Sequence, residues 1–561
     1  MKKLFAMTAI ASAVTLVGCG GGDINLSPTN IDNSVDNSQS SGGGSTNACA
    51  SYVENGQTFQ GQQVGNDCFY NAQFVSSTNP ITADEVRFGR IAGAHIFENA
   101  LFVGADVDAT AAQNGTRIPQ EGEGTKLYVD AGVSMVFESR EGYVRIARGS
   151  QIFAQGTADA PIIFTADEDY EGNATEDDRG LWGGIQINGN GRTNKCHDGT
   201  ATGSGTGTVS DFAATANNVH NCNQTAEGRP STYGGNNDAE SSGALEYVVI
   251  KHAGFEVVDG DELNALTLNA VGSGTTISHV QTYTSLDDGF EMFGGAVNLD
   301  HIVAVNVGDD SIDYSEGYNG KIQYAVVLHT SGSNRCVEGD NTGENRGDGI
   351  TPTTKMIISN LTCITSAVDT NGGTNVTSKG DSEGPLYREG VFFEMYNSLI
   401  TSNDTLMNSN ECLELDDSEG PQTIDAAQSG TSKASSNVIA CGEATKIGAN
   451  VANTGFDLVN WLAGGGANAQ TPANSNANNV IITGGDLPAK VIVNGTGTRD
   501  YRTAASIQDG SNTEVFDQST QLTDVSTIDA YFSTPTYLGG ASASDDWLDG
   551  WTVGFDKPLN P

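Results

Sequence analysis

The chain is 561 residues long and carries 70 acidic against 26 basic side chains, a formal net charge of -44. A surplus of that sign repels DNA, RNA and anionic lipid headgroups, which excludes a nucleic-acid partner. Seventy-one glycines and a charged fraction of 17% suit a turn-rich all-β chain better than a helical one.

Lys2 and Lys3 precede an apolar run from Leu4 to Gly18, which is too short to span a bilayer as a mature helix and reads as a signal peptide. The run ends in Leu16-Val17-Gly18-Cys19, which resembles the lipobox of bacterial lipoproteins. That resemblance implies that residues 1–19 are a lipoprotein signal peptide and that acylated Cys19 becomes the membrane anchor. Gly20 rather than Asp follows the cysteine, which in that family directs export to the outer membrane. Residues 20–48 are mostly Gly, Ser, Asn and Asp and are expected to form a flexible tether.

Setting Cys19 aside, the nine cysteines leave eight: Cys49, Cys68, Cys196, Cys222, Cys336, Cys363, Cys412 and Cys441. In chain order they fall into four local pairs, as disulfides that staple loops do in an oxidising compartment, although sequence alone leaves the connectivity open. No Cys-x-x-Cys occurs, which leaves a zinc cluster or a thioredoxin-like centre without support.

The body is repetitive. Between Leu127 and Ala166, "LYVDAGVSMVF" and "YVRIARGSQIFAQGTADAPIIFTA" alternate apolar and polar residues, and "LWGGIQI" follows from Leu181. Then "TISHVQTYTSLDDGF" is echoed by "LDHIVAVNVGDDSID" at an offset of 22 (299 minus 277). The overlay pairs Ile277 with Leu299, His279 with His301, Val280 with Ile302, Asp287-Asp288 with Asp309-Asp310, and Glu291 with Asp313. Short β-rich repeats separated by Gly, Asn and Asp mark a stacked solenoid. Strands rich in Val, Ile, Thr and Phe favour a parallel β-helix over a leucine-rich repeat.

The same phase recurs at Leu245–Val248, Ile322–Ala325 and Ile358–Leu361. It aligns Tyr247, His279, His301, Tyr324 and Asn360 in a column where the strand is expected to bend. The two histidines of that column are read as stacked bend residues rather than metal ligands. Polar insertions at about 190–243, 331–355, 366–390 and 403–435 are expected to hang off the stack as loops.

"RGLWGGIQING", "ELNALTLNAVGSGTTISHVQTYTSLDDGFEMFGGAVNLDHI", "GDDSIDYSEGYNGKIQYAVV" and "YLGGASASDDWLDGWTVG" resemble a widespread group of Gram-negative surface lipoproteins. The resemblance covers roughly Val86 to the end and implies a right-handed single-stranded parallel β-helix with stapled loop insertions and end caps; it brings no function. Residues 49–125 are then an N-terminal segment and cap, 126–450 the β-helix with its insertions, and 451–561 C-terminal coils and an aromatic cap. Tyr531, Phe532, Tyr537, Trp547 and Trp551 are expected to plug the open end of the solenoid.

Stacking brings equivalent residues about 4.8 Å apart, so Asp287, Asp288, Asp309 and Asp310 converge, with Glu291 and Asp313 nearby. Like charges so close repel by roughly 1 kcal/mol in water and by several times that in a less polar setting. They must fan into solvent, hold a hard cation such as calcium, or keep a proton. "LDDGFEM" followed by "GDDSIDY" is also similar to the paired Asp motifs of polygalacturonases. That likeness implies an inverting catalytic set of Asp288, Asp309 and Asp310. The chain departs from those enzymes in lacking a Gly-His-Gly and an Arg-x-Lys, offering only "LHTSG" around His329. A lyase would need an Arg or Lys base, and Arg335, Arg346 and Lys355 lie in one insertion.

The sequence thus reads as an outer-membrane lipoprotein facing the cell exterior, a non-catalytic β-helix that binds a glycan or protein, with calcium as the candidate ion. A carbohydrate-active hydrolase or lyase is the alternative, and an accessory to an outer-membrane protein would use the same fold and anchor.

Overall fold

In the computed structural model the described residues are 47–197, 210–213, 221–258, 261–329, 333–342, 350–365, 382–402, 411–417, 422–452, 454–466, 473–482, 492–493, 507–508, 514–542 and 545–554. The signal peptide, Cys19, most of the tether and Arg346 lie outside them.

Two parallel sheets of ten and eighteen strands form the body. In the smaller, Val144–Ile146, Ile185–Asn188, Leu266–Asn269, Phe290–Phe293, Ile312–Ser315 and Glu338–Gly339 follow one another in space. The chain visits the larger sheet between these strands, through Gly243–Lys251, Thr276–Tyr283, Asn298–Val305, Lys321–Leu328 and Lys355–Thr365. Neighbours in space that are one coil apart in sequence make a parallel β-helix.

The register pairs Leu245 with Ile277, Ile277 with Leu299, Leu299 with Ile322, and Ile322 with Ile358. All five side chains are buried in one core that runs through the coils, so each covers the apolar face of the next. On the opposite wall Met292 aligns with Tyr314 and Tyr314 with Gly339. A Cβ at Gly339 would meet the Tyr314 ring at 2.5 Å, so glycine there makes room for the tyrosine.

The bend column is present. Tyr247, His279, His301, Tyr324 and Asn360 have φ of 49°, 54°, 52°, 61° and 59°, and Asn397, Ser436 and Asn478 continue the series at 51°, 61° and 59°. A left-handed residue at each position breaks the long-sheet strand into two halves and turns the chain around the core. The first four rings stack, with centroids 4.3, 4.5 and 4.8 Å apart.

The stack begins before residue 126 and continues past residue 450. Parallel pairing begins where Asp67–Tyr70 meets His95–Phe97 and ends where Val438–Ala440 meets Val480–Ile482. The early strands are only three or four residues long, too short to show a period in the sequence. The disulfides are Cys49–Cys68, Cys196–Cys222, Cys336–Cys363 and Cys412–Cys441. The last two are buried inside the core and tie a long-sheet strand to the approach of a short-sheet strand.

The expected aromatic end plug is corrected. The short helix Leu458–Leu462 contributes Leu458, Trp461 and Leu462 to the core beyond the last coils. The closing aromatics instead belong to a strap, described over residues 514–542 and 545–554, that runs back along the bend column. Asn397 and Asn360 donate to Thr523 O and Tyr537 O, Gln323 donates to Ser533 O, and Gln281 donates to Val553 O. Trp547 lies edge-on against His301 at 4.8 Å. A bent strand leaves a row of bulky, partly polar side chains on its outer face, and the strap covers that row.

Replacing Asn360 by Ala removes both the tolerance for positive φ and the bond to Tyr537 O. It is expected to cost about 1–3 kcal/mol in a denaturant titration, whereas Asn360→Gly, which relieves the backbone alone, costs less.

Candidate functional site

The turn that leads into each short-sheet strand builds the site. Asp288 N–H donates to Asn264 Oδ1 at 3.1 Å, Asp310 N–H to Asp288 Oδ1 at 2.9 Å, and Arg335 N–H to Asp310 Oδ1 at 2.7 Å. Each side-chain oxygen thus satisfies an amide of the next coil that the ladder leaves open. Arg335 bridges to Glu383 and Glu411 to Glu443, continuing the column in later coils. Beside it on the short sheet runs a second, outward-facing column, in which Glu291 aligns with Asp313 and Asp313 with Glu338.

All six acids expected to converge do so. Single oxygens of Asp287, Asp288 and Asp309 lie within 4.8 Å of one another, as do those of Asp288, Glu291 and Asp313, and those of Asp310, Asp313 and Glu338. The groups share Asp288 and Asp313, so they form one continuous file. Four of the six acids do not fan into solvent, Asp287, Asp288, Glu291 and Asp310 being at most 7% exposed, whereas Asp309 and Asp313 are partly exposed.

Burial first, and then the neighbouring carboxylates, push the pKa values of Asp288, Glu291 and Asp310 well above the ordinary range. Asp313 is raised for the same reasons, with Arg388 acting in the opposite direction. Its Oδ1 is buried without a hydrogen-bond partner.

Farther along, the protein supplies its own cations. Arg335 pairs with Glu383, Glu414 and Glu411, and Lys446 with Glu411 and Glu414. Arg388 reaches Glu338 at 2.6 Å and Asp340 at 3.7 Å. Glu338, Asp340, Glu383, Glu411, Glu414 and Arg388 were not singled out from the sequence. Insertions destroy the constant offset after Asp313, and only short words such as "CVEGD", "PLYRE" and "CLELD" keep the phase.

The carboxylates expected to be catalytic are crowded and already hydrogen-bonded. Inverting glycosidases hold their two carboxyls about 6.5–9.5 Å apart to admit water. Here an oxygen of Asp288 lies within 4.8 Å of one of Asp309, and Asp288 and Asp310 each hold a backbone amide. His329 is buried between Ser311 Oγ and Ser382 Oγ at 3.0 and 2.8 Å, and burial pushes its pKa down to about 3. It faces the interior. Burial lowers the pKa of Arg335, but Glu383, Glu414 and Glu411 outweigh it and the net shift is upward, the opposite of what a base requires. Lys355 bonds Glu394 at 2.6 Å on the long sheet, away from these turns.

A family model described as a pectate-lyase like beta helix domain matches residues 114–472, and the chain belongs to that family. No curated protein and no solved structure matches it.

A carboxyl whose folded pKa is raised stabilises below its unfolded value, near 4, and that stability is lost as pH rises through the folded value. With chelator present, the protein is therefore expected to be more stable at about pH 5 than at about pH 8 in urea titrations. Asp288→Asn keeps the acceptor for Asp310 N–H and should flatten this dependence. Asp288→Ala, which leaves that amide unpaired, should cost roughly 1–3 kcal/mol at either pH.

Proposed function

We propose that this member of the pectate-lyase-like β-helix family is a non-catalytic surface protein. Its acidic file takes up calcium, and the loaded face binds a glycan or a protein. The observation that carries the reading is the run of shared carboxylates from Asp287 to Asp313, which ends on a buried, unpartnered Asp313 oxygen. An all-oxygen donor set suits a hard cation. Asp287, Asp288, Asp309, Glu291, Asp310 and Asp313 would hold it, and its charge would offset the repulsion that keeps these acids above their ordinary pKa range.

Calcium bound at a partly covered carboxylate file retains positions for hydroxyl or carboxylate oxygens of a polysaccharide, which gives the face a route to glycan recognition without bond cleavage. The lipobox at Cys19 supports an outer-membrane anchor, and the tether of residues 20–48 supports a body held off the membrane toward the exterior. Lyase chemistry is the second reading. The family description favours it, and the carboxylate grip on Arg335 and Arg388 speaks against a base on this face.

Calorimetry on the body from Asn47 onward tests the proposal. Calcium is expected to bind with defined stoichiometry and to stabilise the fold by about 2.7 kcal/mol at a hundredfold excess over its Kd. Asp288→Asn/Asp313→Asn is expected to abolish both effects. No heat and no stabilisation in the parent protein would remove the metal from the reading. Release of unsaturated or reducing sugars from uronate polymers, lost in Asp309→Asn, would overturn the non-catalytic assignment.

A further inference from the structure

A second group of ionisable side chains lies on the bend column, on the long sheet, under the end of the strap. His279 and His301 stack with centroids 4.5 Å apart and planes 5° from parallel, between Tyr247 at 4.3 Å and Tyr324 at 4.8 Å. The last described turn of the strap closes over them. Trp547 meets His301 and His279 edge-on at 4.8 and 5.8 Å, and Trp551 meets His279 and Tyr247 at 6.0 and 5.6 Å. Trp547 and Trp551 bond the strap's own carbonyls, Gly540 O and Trp547 O, so they hold the column through ring contacts, beside Leu548 and Trp551 packed on Val249, Val303 and Val305 of the long sheet. Gln281 adds two bonds to Val553, one through each end of its amide.

We propose that the stacked pair His279 and His301 is an acid-sensitive latch for the strap end, residues 545–553. When the pair is neutral the rings stack and the tryptophans seat on them. When His279 takes up a proton, its charge sits at ring-stacking distance from His301 beneath an apolar cover, and the strap end lifts.

The charged surroundings do not cancel this. On the neighbouring strand Asp300 Oδ1 lies 2.9 Å from His301 Nδ1, and on the strap Asp545 accepts from Tyr537. Both favour protonated His279, but burial and the stacked His301 outweigh them. On the other side the pair faces Tyr247, and Glu246 aligns with Ser278, which bonds His279 Nδ1 at 2.8 Å. Tyr324 and Tyr537 complete the contacts and stay neutral in this range. Burial first, and His301 next, push the His279 pKa down to about 4. Neutral His279 therefore adds stability above the ordinary value near 6.5 that is lost as pH falls toward 4.

The rest of the strap has its own anchors. Asn397, Asn360 and Gln323 hold Thr523, Tyr537 and Ser533 through neutral groups, so the opening is confined to the end. It uncovers the ladder of four stacked rings that the neutral protein keeps closed. The acidic file of the short sheet takes no part in it.

Hydrogen exchange of residues 545–553 and tryptophan emission, followed together from about pH 7.5 to about pH 4, test the latch on the body from Asn47 onward. Protection of that segment, relative to the intrinsic exchange rate at each pH, is expected to fall by about a hundredfold, the size a shift from 6.5 to about 4 allows, reversibly and without change in the core strands. His279→Phe/His301→Phe keeps the stack and removes the charge, and should hold the segment closed across the range. His279→Gln, which loses ring stacking, should open it already at neutral pH. A parent protein whose strap end stays closed down to pH 4 overturns the proposal. So does a double Phe variant that opens with the same midpoint, which would place the titration in other groups.

Discussion

Everything in this molecule follows from one constraint: a parallel β-helix places each residue directly over its counterpart in the next coil, about 4.8 Å away. A choice made once is therefore repeated against itself. For apolar residues the repetition is favourable, and Leu245, Ile277, Leu299, Ile322 and Ile358 become a continuous buried ladder. For rings it is favourable too, as in Tyr247, His279, His301 and Tyr324. For amides it gives bonds such as Asn269 Nδ2 to Asn188 Oδ1 at 2.9 Å.

For carboxylates the same geometry is costly, and the chain meets the cost in two ways along one face. The turn acids Asp288 and Asp310 each accept an amide of the following coil, which makes an Asp with one short side chain a better fit there than a Glu. Beyond Asp310 the column changes sign at Arg335, and that side chain reaches Glu383, Glu411 and Glu414. Neither device answers the mutual repulsion of Asp287, Asp288, Glu291, Asp309 and Asp313. Structural bonds account for oxygens of Asp288 and Asp310, and also of Glu291 and Asp309, which accept from Asn264 and Asn334; they do not account for the buried Oδ1 of Asp313 in the outward column, where Thr267 stands at the head without any charge.

The fold was legible because two of its coils lack insertions. Between Leu245 and Leu361 the apolar pair and the bend residue recur within long strands, and the overlay of Ile277 on Leu299 is the register of the sheet. Where strands shorten to three residues, as at Leu101–Val103, or where insertions intervene, as before Leu386–Tyr387, the phase is carried by two or three side chains and is lost among turn residues. The site was legible to the same extent. The acids of two adjacent intact coils were found, while Glu338, Glu414, Arg388 and the direction taken by Arg335 depended on coils whose spacing the sequence hides.

The closing segment was misread for a different reason. Aromatic residues at the end of a solenoid sequence suit an end plug, and nothing local distinguishes a chain that folds over the end from one that runs down the side. The distinction lies in the partner. The last coils are already closed by Trp461 and its helix, whereas the bend column presents polar atoms on Asn360, Asn397, Ser436 and Gln323 that need acceptors or donors. Tyr531, which donates to Leu299 O, and the strap's other backbone and side-chain groups fit that row. A lateral strap of this kind also couples coils that otherwise touch only their neighbours: Gln281, Gln323, Asn360 and Asn397 belong to four different coils held by one segment. Loss of the strap would therefore weaken the coils between them together, which a plug over one end could not do.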